Sequence, residues 1–347
     1  MFRPIRYIFF FLTAALLSAC SAFNEITFEV LKPAGFSVPP EIKSVVLVDN
    51  SVDFPDTAAN IIKVNEEIVK VDTTKVLDYP AHVISTVGEE LNNRMFFDTV
   101  YVDTLKHKKF VHGKQIEELM PSQIDSICSR YGVDAIVSLD AYKYTNVVSI
   151  INIADYEYYS AYDASAINIW RIYRCADHSV MNVHLQKDTI FWEGSGESMN
   201  GSVRSFPKFS DATYEIGSYL AYKYVDYLAP HWEEVTRRLY TNGNMNFQNA
   251  TEWISKGNWE EAEKIWNYIY KNGSNSARIK AAINLAVAFE RIGDIDNAIK
   301  WGYNAYESML EKPNLSAKTR VYIMSLYNDL TIRKREKRKL VEQLGEF

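Results

Sequence analysis

The chain has 347 residues, of which 47% are apolar and 24% charged, with a formal net charge of −6. Such a composition belongs to a folded chain, and the length exceeds the usual single domain, so two domains are expected. The acidic balance, with no nucleic-acid motif beside it, argues against a nucleic-acid partner.

Arg3 and Arg6 precede an apolar run from Tyr7 to Leu17, which closes on Leu17-Ser18-Ala19-Cys20. A basic start, a short apolar middle and small residues before a cut are the layout of a secretory signal. The run is shorter than the ~18–20 residues that a membrane-spanning helix needs. Leu-Ser-Ala-Cys resembles the lipobox of bacterial lipoproteins. That resemblance implies that residues 1–19 are a signal peptide, and that Cys20 is acylated with palmitate-like chains and starts the mature protein. Stable anchoring takes more than one chain, a condition that a lipoprotein's several acyl groups meet. No aspartate follows Cys20, which by the same resemblance implies the outer membrane of the cell envelope, facing the periplasm.

Residues 20–40 read as a tether, interrupted by Pro33, Gly35, Pro39 and Pro40. Ile42 to Val48 is β-branched and nearly all apolar, as a strand covered on both faces should be. Residues 51–80 read as an irregular polar excursion. His82 to Met95 carries Val83, Val87 and Leu91 at helical spacing, and Phe96 to Val102 reads as a second strand. Ser122 with Asp125 has the form of a capping box. It opens a helix with Ile124, Ile127 and Cys128 on one face, and Gly132 is placed to end it. Val133 to Leu139 is a third strand, so the order βαβαβ predicts parallel pairing. Ser44 to Val48, Phe96-Phe97-Asp98-Thr99-Val100 and Tyr131-Gly132-Val133-Asp134-Ala135-Ile136-Val137 together resemble the α/β domain of CsgG-like, LpoB-like and TolB N-terminal envelope proteins. The likeness covers roughly residues 40–240.

Tyrosines crowd the next stretch, six of the chain's 23 lying between Ala141 and Tyr162. The plain reading is a strand extension with a wet loop. The functional alternative is a glycan or small-ligand platform of Tyr156, Tyr158, Tyr159 and Tyr162, since such rings pack while their hydroxyls stay solvated. Ala164 to Tyr173 reads as a strand. Met181, Val183 and Leu185 alternate with polar residues and, with Lys187-Asp188 as a turn and Ile190 and Trp192 beyond, predict a hairpin with its apolar face buried. The sheet is therefore expected to be mixed. Gly194-Ser195-Gly196 lacks the Gly-x-Ser-x-Gly spacing of a nucleophile elbow. A helix is expected over Tyr214–Leu228, and residues 231–240 carry the chain onward. Cys128 and Cys175 lie far apart in different elements and are expected to be unpaired. The Pro-x-Trp segment Pro230-His231-Trp232 resembles uncharacterised lipoproteins of the Bacteroidota that join an envelope domain to helical repeats.

The last hundred residues are repetitive. Gly257-Asn258-Trp259-Glu260-Glu261-Ala262 recurs 36 residues later as Gly293-Asp294-Ile295-Asp296-Asn297-Ala298. This resembles tetratricopeptide repeats, whose period is ~34 residues. The resemblance implies two helix pairs over 245–310 and a capping helix after them. Gly302 departs from the large aromatic common in that family. The tail Arg333-Lys334-Arg335-Glu336-Lys337-Arg338-Lys339 reads as a solvated helix end, with an anionic lipid or polysaccharide as the other option.

The expected fold class is thus an α+β or α/β domain with a mixed sheet over 41–240, followed by an all-α tetratricopeptide-like domain over 241–347. No phosphate loop, zinc-type spacing or His-Glu-x-x-His occurs, so no cofactor or metal is expected and the protein reads as a non-enzyme. The leading expectation is a membrane-anchored lipoprotein that acts as a scaffold, holding a protein or peptide partner through Trp253, Trp259, Trp266, Tyr268, Phe289, Trp301 and Tyr303. The competing class is the tyrosine-loop ligand binder.

Overall fold

A computed structural model describes residues 23–53, 60–74, 76–106, 116 and 118–345. It divides into two compact units, Ala34–His231 and a second that joins the segment up to Pro33 to Trp232 onward.

The first unit is a mixed α/β fold around a seven-stranded sheet. Its elements are β2 (Ser44–Asp53), β3 (Asn60–Val64), β4 (Glu67–Asp72), α1 (Tyr79–Arg94), β5 (Thr99–Lys106), α2 (Pro121–Tyr131), β6 (Ala135–Ala154), β7 (Glu157–Arg174), β8 (Val180–Gly196), α3 (Met199–Ser202) and α4 (Phe209–Leu228). The strand path is β4-β3-β6-β2-β5, with β7 on β6 and β8 on β7. As the βαβαβ reading required, β2 runs parallel to both β5 and β6. The pairs β6–β7 and β7–β8 are antiparallel, which makes the sheet mixed.

Continuous apolar character in β2 has a direct cause, because each face meets a separate core. Val45 and Leu47 join Val83, Val87 and Leu91 of α1 and Ile216, Leu220 and Tyr224 of α4. Val46 and Val48 face the other way, onto Ile124 and Ile127 of α2. Asp134 ties the edge of this arrangement. Its Oδ2 accepts from the Lys43 amide at 2.9 Å, the Ser44 amide at 2.8 Å and the Ser44 hydroxyl at 2.8 Å.

Several expectations for this unit need correction. Residues 51–80 are not wholly irregular: β3 and β4 form an antiparallel hairpin, and β3 adds to β6 in parallel. The second strand begins at Thr99 rather than Phe96. Helix α2 is capped by Gln123, whose Oε1 accepts from the Met120 amide at 2.8 Å, and not by Ser122. Lys187 and Asp188 do not turn; they sit within β8, a single strand of 17 residues. Its alternation is also inverted. Asn182, His184 and Gln186 face the protein, while Val183 and Leu185 are 55% and 63% exposed. The polar residues turn inward because α4 offers them partners, a Tyr227 hydroxyl for Asn182 and the Leu220 carbonyl for Gln186. Finally, Cys128 and Cys175 are disulfide-bonded, with Cα atoms 5.9 Å apart. Residues distant in sequence meet because α2 packs over the sheet where β7 ends, so sequence separation was a poor guide.

The second unit holds β1 (Asn24–Lys32), β9 (His231–Leu239), α5 (Met245–Ser255), α6 (Trp259–Asn272), α7 (Asn275–Arg291), α8 (Ile295–Leu310) and α9 (Ala317–Leu344). It is helical but not all-α. Residues 24–32, read as part of a tether, form β1 and pair with β9. That pairing moves Trp232–Tyr240 from the sheet domain, where the sequence reading had put it, into the helical unit. Phe23, Ile26 and Phe28 explain the error: they pack against the helical core.

Candidate functional site

The structural counterpart of the sequence repeat is a pair of matching turns. Gly257 and Gly293 both adopt left-handed backbone, at φ +76° and +75°, where a Cβ would be strained. The Gly257 amide donates to Ile254 and the Asn258 amide to Trp253; 36 residues on, Gly293 donates to Glu290 and Asp294 to Phe289. Asn258 and Asp294 then cap the helices that follow, accepting from the amides of Glu261 and Asn297. Ala262 and Ala298 are fully buried just beyond.

The seven aromatic residues expected to hold a partner are not one surface. Trp266 is a core residue at 1% exposure. Trp259 packs edge-on to it and lies beneath the Arg291 guanidinium, 4.2 Å from the ring centre. Phe289 is half-buried against the core, and Trp301 meets the edge of Tyr270 at 4.9 Å. Trp253, Tyr268 and Tyr303 remain exposed. Of these, Tyr303 belongs to a cluster that the sequence reading missed: Tyr303, Tyr306 and Tyr327 lie with ring centres 6.0–6.5 Å apart on α8 and α9. Gly302 makes that approach possible. A Cβ there would stand 3.1 Å from Leu330 Cδ1 and 3.5 Å from Tyr327 Cδ2, both on α9.

The alternative tyrosine set is divided between two sheet faces, because β6 and β7 form one long hairpin rather than a wet loop. Tyr162 is buried in the main core and donates to Asn146 Oδ1 at 3.0 Å. Tyr158 packs on that same core. Tyr159, one residue on, points to the opposite face and donates to Glu193. Tyr156 occupies the turn at φ +61° and is 83% exposed. Cys20 lies outside the described residues. Among those residues no helix is long and apolar enough to cross a membrane.

Sequence reasoning also missed a buried polar network beside the parallel strand ends. Asp140 sits at a register shift between β6 and β7 and is fully buried; such bulges re-aim a side chain. Its Oδ1 accepts from the Ser138 hydroxyl at 2.6 Å and from Asn50 at 3.3 Å, and its Oδ2 faces Arg171 Nη1 at 2.9 Å. Arg171 also donates to the Tyr173 hydroxyl, which accepts the Leu119 amide. Burial and the Asp140 charge push the Tyr173 hydroxyl up from its usual range. The pair joins β6 to β7, and through Asn50 to β2, while the buried Arg171 Nε finds no acceptor. A lone aspartate ending an apolar strand was the signal available in sequence. Among the described residues no group of histidine, cysteine or acidic side chains is arranged to hold a metal ion.

Fold and surface together define a two-unit protein: a mixed α/β sheet unit, and a helical unit with paired turns and a half-exposed tyrosine cluster. The chain belongs to the family described as "Domain of unknown function (DUF8603)", whose model matches residues 42–240. Residues 248–330 match a second model, "Domain of unknown function (DUF6340)". No curated protein matches the chain. Among solved structures, a PelC dodecamer from Paraburkholderia phytofirmans is similar at 11% identity and a TM-score of 0.26, covering 59% of this chain and 98% of that one. Lipoprotein GNA1162 from Neisseria meningitidis is similar at 11% identity and a TM-score of 0.20, covering 43% and 81%. The hypothetical protein CT253 from Chlamydia trachomatis is similar at 8% identity and a TM-score of 0.21, covering 54% and 98%. Likeness at this level carries no argument about function.

Proposed function

We propose that this is a lipid-anchored protein of the bacterial envelope, held at the outer membrane through Cys20 and facing the periplasm, whose helical unit acts as a non-catalytic scaffold for a protein or peptide partner. The Cys128–Cys175 disulfide supports an exported chain, because disulfides persist in oxidising compartments such as the periplasm. Leu17-Ser18-Ala19-Cys20 supplies the export and acylation signal. The matching turns at Gly257 and Gly293 support reading α5–α8 as two tetratricopeptide-like units with α9 as their cap.

The observation that carries the binding role is the tyrosine cluster on α8 and α9. Its rings are held together and Tyr303 is 44% exposed; tyrosine gives large contact area at low conformational-entropy cost, which favours it in interfaces. A photoreactive phenylalanine placed at Tyr303 in the full chain, compared with one at exposed Tyr222 of the sheet unit, tests this in living cells. A discrete adduct from position 303 and none from 222 is expected. No adduct from 303, or the same adducts from both, contradicts the proposal.

A further inference from the structure

The basic run of α9 is not an evenly solvated end. Arg333, Lys337 and Leu340 share one helix face and form a wall of a cavity of about 500 Å³ inside the helical unit. Val30 and Leu31 of β1, Trp232 of β9 and Ile295 of α8 line it as well. Small-molecule sites typically measure ~300–1,000 Å³ and are mostly apolar, with a few fixed polar groups. This cavity has that character, and its polar groups are unevenly charged.

The carboxylates nearest the cavity are already engaged by other cations. The Glu290 carboxylate in the wall is consumed by Arg237, at 2.8 and 2.9 Å. Glu336 serves two cations at once, Lys32 at 3.0 Å and Arg333 at 3.1 Å. Arg333 is only 8% exposed. Its Nη1 also donates to the Leu31 carbonyl at 2.8 Å, while its Nε is buried without an acceptor. Lys337 donates to the Gly293 carbonyl at 3.3 Å and faces no carboxylate at ion-pair distance among the described residues. Arg291 stacks on Trp259, and its Nε likewise lacks an acceptor. Against these cations stand Glu29, exposed in the lining, Asp296, which pairs with Lys334 at 2.8 Å and also feels the Lys337 charge, and Glu263, which feels Arg291. Buried donors without acceptors are costly, and a carboxylate offers about four acceptor positions.

We infer that this cavity binds an aliphatic carboxylate, with the acyl chain along Val30, Leu31, Ile295 and Leu340 and the carboxylate held by Lys337 and Arg333. This site is separate from the tyrosine surface, and nothing in the anchor or scaffold proposal requires it.

The test uses the full chain carrying Cys20→Ser, so that no detergent competes, and dodecanoate as the probe. Calorimetric titration is expected to show saturable one-to-one binding, with octanoate at least roughly tenfold weaker because each buried methylene contributes. Dodecanol lacks the charge and is expected to bind at least about tenfold more weakly than dodecanoate, the scale of a charge-assisted hydrogen bond. Lys337 is exposed, so Lys337→Gln leaves the fold intact; it is expected to weaken dodecanoate binding about tenfold while leaving dodecanol unchanged. Lys337→Arg is expected to restore it. Absence of saturable dodecanoate binding, equal affinity for dodecanol, or unchanged affinity in Lys337→Gln each overturns the inference.

Discussion

Asn284 holds both backbone groups of Tyr240. Its Oδ1 accepts the Tyr240 amide at 2.7 Å and its Nδ2 donates to the Tyr240 carbonyl at 2.7 Å. Asn284 is fully buried in α7, and Tyr240 follows the last residue of β9. One amide therefore fixes where the β1–β9 ribbon ends on the helical core. Asn284→Leu keeps the volume and strands two buried backbone groups, each of which costs about 1–3 kcal/mol when left unsatisfied. A loss of about 2–6 kcal/mol is expected in denaturant unfolding. A change under about 0.5 kcal/mol, ordinary for a surface substitution, would show that the bonds contribute nothing.

The disulfide closes a loop of 47 residues. In the chain-entropy picture, constraining the unfolded state over that span is worth about 4 kcal/mol. Reduction, or replacing Cys128 and Cys175 together by alanine, should lower the unfolding midpoint of the sheet unit by a comparable free energy. Equal midpoints with and without reductant would remove the bond from the account.

Two groups give stability an acid dependence of known sign. Burial beside Tyr227 and Tyr224 holds the His184 imidazolium below its usual range. The unfolded chain then takes up a proton near pH 6.5 before the folded one does. Stability from neutral His184 is full above that pH and falls as the pH drops through the lower, folded value. Burial acts to raise Asp134, but the hydrogen bonds from Ser44 and the Lys43 and Ser44 amides outweigh it and hold the carboxyl below the usual range. Its contribution is present above the unfolded value near 3.9 and disappears at still lower pH. His184→Phe should flatten the first decline and spare the second. A native-like slope between pH 7 and 5 in that variant would assign the effect elsewhere.

Gly302 separates two explanations of the α8–α9 contact. If α9 approaches because residue 302 has no side chain, Gly302→Leu must push against Leu330 and Tyr327. Overpacking of this kind costs about 1–3 kcal/mol. Loss of the Tyr303–Tyr327 contact should also change tyrosine fluorescence. A Gly302→Leu protein as stable as the parent would mean that α9 adjusts freely.

Where the sequence was readable, one residue pattern answered to one environment. Val45 to Val48 announced a strand covered twice, and Gly257 with Gly293 announced matching turns. The apolar period of Val183 and Leu185 was real but pointed outward, because α4 presents hydrogen-bonding groups that reward the polar face of β8. Residues 24–32 lacked a partner in any local window, since β9 arrives some two hundred residues later. Cys128 and Cys175 failed for the same reason: pairing over distance is decided by packing. The cavity in the helical unit is a further case, because Leu31, Gly293 and Lys337 come from three separate parts of the chain. Its one sequence trace was the basic run, in which Arg333 turns inward while its neighbour Lys334 pairs at the surface with Asp296.

The proposed scaffold role depends on acylation of Cys20, and fractionation of cells measures that proposal directly. The native chain is expected in the membrane fraction, and Cys20→Ser in the soluble fraction with its disulfide still formed. Identical partitioning of the two proteins would contradict the account.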